Sequence, residues 1–194
     1  MQVDETVLRQ AFRDARTHNA WLPKEVPDSL LHSLVEMANL GPTSLNCEPA
    51  RYLFVRSKAA KEKLAPLLSE GNRAKTMQAP VCAIIGYDME FYEQLPRLFP
   101  HKDVRGSFAG KTEKIQETAF RNGSLQGGYL IMAARLLGLD CGPMSGFDNA
   151  GVDAAFFAGT SIRSNFLCNL GYGDASALKP RLPRLPFADS AQII

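Results

Sequence analysis

Three short runs, Tyr52-Leu53-Phe54-Val55, Val81-Cys82-Ala83-Ile84-Ile85 and Asn165-Phe166-Leu167-Cys168-Asn169-Leu170, most constrain what this chain can become. Each is short, rich in β-branched or aromatic residues and largely apolar on both faces, as in strands buried under helical layers. Helical patterns separate them. Residues 5–18 set Val7, Leu8, Ala11, Phe12 and Ala15 on one stripe. Asp28 stands as the N-cap of a helix burying Leu30, Leu31, Leu34, Val35 and Ala38, which Gly41-Pro42 stops. Further helices are predicted over about 58–68 and 117–137. In the second of these, Gly127, Gly128, Ala133 and Ala134 offer a small-residue surface for close approach of another helix. Asp148 caps a short helix ending near Phe157. Residues 69–75 read as a polar connection, 90–117 as irregular, and 142–147 as a turn. The proline- and arginine-rich tail after Gly171 reads as an extended surface path. No repeat or linker interrupts this alternation, so residues 1–194 are expected to form one domain, α+β or α/β in class.

Charge and cysteine content remove whole classes of function. A net charge of +2 is too mild for a chain that lives on nucleic acid. No apolar run approaches the ~18 residues of a membrane span, and the acidic start Met1-Gln2-Val3-Asp4-Glu5 has no secretory pattern. Cys47, Cys82, Cys141 and Cys168 are scattered, without a C-x-x-C pair or histidines at ligand spacing. They read as reduced, buried thiols, so no metal site is expected and the cytoplasm is the expected compartment.

The common catalytic signatures are absent. Gly142-Pro143-Met144-Ser145-Gly146 sets its serine one place too late for a nucleophile elbow, and neither a P-loop nor a Rossmann glycine motif is written. What remains is basic and amide residues at turn-forming places. Arg16 and His18 lie at the end of the first helix, Asn46 in a loop bounded by Pro42 and Pro49, and Asn72 and Lys75 one helical turn apart. Lys179 and Arg181 project to one side of an extended tail. Such a set suits a ligand with a phosphate and a planar polar ring. Each member also has a plainer role: His18 on a helix dipole, Asn46 in an Asx-turn, Asn72 and Lys75 on a solvated helix face, Cys47 in packing.

Read together, several stretches resemble the FMN-dependent nitroreductase family, and within it the malonic semialdehyde reductases of bacterial pyrimidine breakdown. They are Asp14-Ala15-Arg16-Thr17-His18-Asn19, Gly41-Pro42-Thr43-Ser44-Leu45-Asn46-Cys47 and Glu90-Phe91-Tyr92-Glu93-Gln94-Leu95-Pro96. To these are added Glu117-Thr118-Ala119-Phe120-Arg121-Asn122, Gly142-Pro143-Met144-Ser145-Gly146-Phe147-Asp148 and Arg181-Leu182-Pro183-Arg184-Leu185-Pro186. The resemblance implies an α+β fold, a mixed central sheet wrapped by helices, in an intertwined homodimer with FMN at the subunit interface. It implies that Arg16, with Thr17, His18 and Asn19 beside it, and Lys179 with Arg181 hold the FMN phosphate. Pro42, Thr43, Ser44 and Asn46 would reach the flavin of the partner subunit, and Asn72 and Lys75 its ring and ribityl chain. Pro143, Met144, Ser145 and Gly146 would form a turn on one flavin face, with the Ser145 N–H near N5. No side chain would be catalytic, since the chemistry belongs to the cofactor.

The implied reaction is NADH- or NADPH-driven, ping-pong reduction of malonic semialdehyde to 3-hydroxypropionate; a broad nitro- or quinone reductase and a non-catalytic FMN-binding protein are the alternatives. Residues 90–117 fall where the family varies its substrate cap, and His101 or Arg121 would meet a substrate carboxylate. One departure stands out: Ala20 occupies a place that many relatives fill with a basic residue; either Lys75 or His18 takes over, Lys75 being the expected substitute, or the reduced flavin is less stabilised and its potential lower.

Overall fold

The computed structural model describes residues 3–194. Its frame is a four-stranded sheet of order β1-β2-β4-β3, formed by β1 (Ala50–Val55), β2 (Val81–Asp88), β3 (Asp140–Met144) and β4 (Ile162–Gly171). All three pairings are antiparallel. The parallel component expected of a mixed sheet is confined to an isolated bridge, Thr17 to Cys141. The central strand β2 is buried from Val81 to Tyr87, which explains its unbroken apolar run.

Eight α-helices stand among the described residues, and several of them cover the two faces of the sheet: α1 (Glu5–Leu8), α2 (Asp28–Asn39), α3 (Lys58–Leu64), α4 (Glu70–Gln78), α5 (Leu95–Leu98), α6 (Thr112–Leu136), α7 (Asn149–Phe156) and α8 (Phe187–Ser190). On one face α2 and α6 cover Val81, Ala83, Ile85, Cys168 and Leu170 with Leu34, Ala38, Leu130 and Ala134. The other face carries Cys82, Ile84 and Leu167 against Leu64, Leu68 and Val152 near α3 and α7. This alternation of faces along β2 is the period of two that a strand imposes.

Several expected boundaries move. The first helix continues from α1 as a π-helical turn, Arg9–Arg13, and ends at Asp14, so Arg16 and His18 belong to an extended arm. Asp28 is the first residue of α2 and Pro27 its N-cap. The polar stretch after residue 69 is helical as α4, and α6 starts at Thr112, about one turn and a half before the expected Glu117. Residues 140–144 form strand β3, because their partners on β4 supply the ladder that Gly142-Pro143 alone did not suggest. The small-residue surface of α6 faces its own chain. A Cβ on Gly127 would stand 2.5 Å from the Phe166 ring, and Ala133 and Ala134 are buried in the core; only Gly128 opens outward.

Candidate functional site

The arm after α1 is woven between β3 and the segment leaving β4. The His18 N–H donates to the Cys141 carbonyl at 3.0 Å, the Leu22 N–H to Tyr172 at 2.8 Å and the Asp174 N–H to Ala20 at 3.0 Å. Glycines clear the path: a Cβ on Gly142 would lie 2.6 Å from the His18 carbonyl oxygen, and one on Gly171 3.2 Å from the Trp21 ring. Two cationic segments, far apart in sequence, thereby meet. Arg16 donates to the Lys179 carbonyl at 2.6 Å, and Arg181 donates to the carbonyls of Arg13 and Ala15 at 2.6 and 3.0 Å.

Their meeting place is a cavity of about 620 Å³. Arg16, Arg135, Lys179, Arg181 and Arg184 line it against one carboxylate, Asp174. Ser176, through its hydroxyl and N–H, holds that carboxyl below the usual range, keeping it ionised. Thr17, Asn19 and Ala20 complete the arm's side of the wall. The excess of guanidinium and ammonium groups suits a dianion such as a phosphate monoester.

Asn19, on the cavity's wall, links the arm to α4. Lys75 Nζ donates to Asn19 Oδ1 at 3.1 Å, and partial burial lowers its pKa. One turn earlier, Asn72 Nδ2 donates to the Gly146 carbonyl at 2.8 Å, which also accepts the Ser69 N–H at 3.0 Å. A side chain at Gly146 would collide with Asn72, and the neighbouring Ser145 is exposed. Pro143 and Met144 end β3 beneath this turn, Met144 Sδ accepting from Thr76 Oγ1 at 3.7 Å. Arg16, Thr17, Asn19, Lys179 and Arg181 thus meet on one cavity; Lys75 is tied to it through Asn19, and Asn72, one turn before Lys75 on α4, holds Gly146. Asn72 and Lys75 are half-buried and bonded rather than on the solvated face they could equally have occupied.

Other predicted residues lie elsewhere. The His18 side chain is 7% exposed, turned toward Asp140, and does not line the cavity. The loop of Pro42, Thr43, Ser44 and Asn46 is held at the other side of the sheet, against α6 and the cap. The Ser44 N–H donates to Asn122 Oδ1 at 2.8 Å and Asn46 Nδ2 to the Leu98 carbonyl at 3.0 Å. Leu45, Asn46 and Glu48 adopt positive φ of 55°, 51° and 36°, a strained loop held from outside. His101 packs edge-on to Phe99, and Arg121 pairs with Glu117 on α6; neither reaches the cationic cavity. Asn122 and Gln126, which orient the loop and the start of β1, carried no sequence prediction, although two amides four apart on an otherwise buried helix stripe were a readable signal.

A family model, Nitroreductase family, matches residues 13–172. The chain belongs to the nitroreductase family. Among relatives within it, a Burkholderia lata protein named "Putative NADH dehydrogenase/NAD(P)H nitroreductase" is 63% identical over 191 residues, covering 98% of each chain. A Cupriavidus pinatubonensis protein of the same name is 58% identical over 196 residues, covering 100% of each. Solved structures of nitroreductases share the fold at low identity. One from Exiguobacterium sibiricum, described as in complex with FMN, superposes with a TM-score of 0.85 at 20% identity, covering 100% of this chain and 99% of that one. A Streptococcus pneumoniae nitroreductase family protein gives 0.82 at 22% identity, covering 97% and 98%. Among the described residues no helix is long and apolar enough to cross a membrane.

Proposed function

We propose that this nitroreductase-family protein is an FMN-dependent NAD(P)H oxidoreductase. The observation that carries the reading is the convergence of Arg16 with Lys179 and Arg181 on one cationic cavity, continued by Asn19 and Lys75. Two further supports are the name of the 63%-identical relative and the FMN described in a neighbour of the same fold. Bound FMN would supply a two-electron carrier able to take hydride from a nicotinamide and pass it to an acceptor.

The chain's own residues do the rest. Arg16, Lys179 and Arg181 bind the phosphate, and Thr17 offers a hydroxyl beside them. Lys75, fixed by Asn19 next to Ala20, supplies the cation absent at position 20 and offers a donor to the electron-rich edge of the ring. Asn72 holds the turn of Pro143, Met144, Ser145 and Gly146 in shape, so that the Ser145 N–H is presented without a bulky side chain in front of it. Pro42, Thr43, Ser44 and Asn46 line no part of the cavity of their own chain, which supports their acting on the partner subunit's cofactor in a homodimer. Exposed Phe120, Leu125 and Tyr129 on α6 supply an apolar face for that dimer. The four cysteines are free and buried, in keeping with a cytoplasmic location.

For the acceptor, the resemblance favours malonic semialdehyde. A broad nitro- or quinone-reductase activity is the second reading, favoured by one observation: neither His101 nor Arg121 reaches the cavity within the chain, leaving a substrate carboxylate without its expected cation. The deciding experiment is the visible spectrum of the purified protein under nitrogen. A flavin band that bleaches with NADH or NADPH and returns with malonic semialdehyde is the expected result. Return with nitroaromatics or quinones alone selects the second reading. A retained band that neither nucleotide bleaches overturns the oxidoreductase reading, and no band after added FMN overturns the cofactor assignment.

A further inference from the structure

His18 is a buried polar side chain without a place in the cavity, although it stands two residues from Arg16. Its Nε2 lies 3.4 Å from Asp140 Oδ1. The other oxygen, Asp140 Oδ2, accepts the Gly173 N–H at 2.9 Å. Nδ1 is buried without a hydrogen-bond partner, and the ring stands so close to Gly173 that a Cβ there would fall on the imidazole. One carboxylate at the start of β3 therefore grips the arm that carries Arg16 and, at the same time, the backbone that leads into Lys179 and Arg181. The Trp21–Gly173 bridge and the Asp174-to-Ala20 hydrogen bond close the clasp from the other side.

We propose that His18 is a positioning residue: through Asp140 and Gly173 it fixes the spacing between the Arg16 arm and the Lys179–Arg181 segment, and so sets the affinity for the phosphate end of the cofactor without touching it. This rests on the phosphate-site reading above. The physical logic is that bidentate cationic recognition of a phosphate is sensitive to sub-ångström spacing, while a flavin ring held elsewhere along the wall is not. The clasp is buried on the His18 side and tied to the backbone on the Gly173 side, so it can transmit position rather than merely fill space.

The test compares affinities for FMN and for riboflavin, which lacks the phosphate, in the wild type, His18→Ala, Asp140→Ala, the double variant and His18→Gln. The ratio of the two affinities isolates the phosphate end. In the wild type FMN binds much more tightly than riboflavin. In His18→Ala, Asp140→Ala and the double variant the FMN Kd rises by the same factor, about tenfold or more, while the riboflavin Kd stays within about twofold. His18→Gln, whose amide can donate to Asp140, restores most of the ratio. A loss in His18→Ala with a wild-type ratio in Asp140→Ala means that His18 meets the phosphate itself and overturns the proposal. Equal weakening of FMN and riboflavin in the variants, or an unchanged ratio in all of them, also overturns it while leaving the phosphate site standing. Should His18→Ala fail to fold, Asp140→Ala and His18→Gln decide alone: the former must lose the ratio and the latter keep it. A wild type that binds FMN no more tightly than riboflavin overturns the phosphate-site reading, and the positioning role with it.

Discussion

Gly173 illustrates how much a single residue can decide. A Cβ there would fall 1.9 Å from His18 Nδ1, and the histidine is buried beside Trp21. Gly173→Ala therefore forces the arm off β3. Overpacking of this kind costs about 1–3 kcal/mol, so the expected result is a lower denaturation midpoint together with weaker FMN binding. A variant as stable as the wild type would mean that the ring has space elsewhere. Arg16 works in the opposite sense, through what it donates. Removing its side chain takes away both the link to the Lys179 carbonyl and one cation from the cavity. Charge-assisted hydrogen bonds contribute about 1.5–3 kcal/mol, so Arg16→Ala is expected to raise the FMN Kd by about ten- to a hundredfold in a fluorescence titration. A change below about threefold would remove Arg16 from the phosphate site.

At the scale of elements, α4 depends on a residue outside it. Lys61 of α3 is buried, and its ammonium donates to the Ala79 carbonyl just past the end of α4, with Met77 O at 3.4 Å. That cation meets the negative end of the helix carrying Asn72 and Lys75. Lys61→Met leaves the buried Ala79 carbonyl unpaired and is expected to cost about 1–3 kcal/mol in chemical denaturation. Burial lowers the Lys61 pKa below its ordinary 10.5. The unfolded chain then holds this proton more tightly, so the lysine's contribution to stability grows as pH rises toward 10.5. The gap between wild type and variant should widen as the pH rises toward 10.5; a gap that narrows would contradict the lowered pKa. Strand β2 and the second half of β4 were legible because burial on both faces leaves an apolar run, β1 because its half-buried edge still carries Tyr52, Leu53, Phe54 and Val55 in a row, and α7 because Asp148 caps it. Strand β3 was not, since Gly142 and Pro143 weaken any local strand signal and its existence depends on pairing with β4. The end of the first helix was also hidden: its apolar stripe continues through Ala15, but the arm is captured by β3 and the chain beyond β4, contacts that local periodicity does not contain.

Across the whole molecule, the candidate site was legible as a set of residues but not as a place. Arg16, Asn19, Lys179 and Arg181 are brought together by the weave of the arm, β3 and the post-β4 segment, with Lys75 bonded to Asn19 and Asp140 and three glycines making the crossing possible. The remaining group of Pro42, Thr43, Ser44 and Asn46 stays on the α6 side, anchored by Asn122. Two half-sites on one chain, each with residues suited to the same cofactor, are what a two-fold dimer would join, because an isologous interface brings one patch to the other twice. The apolar face proposed for it is Phe120, Leu125 and Tyr129, with Gly128 leaving an open hollow between them and Tyr129 lying over Gly41 at the root of the strained loop. A charge set at its centre should separate the subunits while leaving each core intact, since Leu125 is 49% exposed and is not a member of the buried core. Leu125→Glu is therefore expected to sediment as a monomer at micromolar concentration, with helical circular dichroism close to that of the wild type, and to lose FMN on gel filtration. A monomeric variant that retains FMN would place the whole cofactor site within one chain and leave the loop of Pro42 and Asn46 without a part in it.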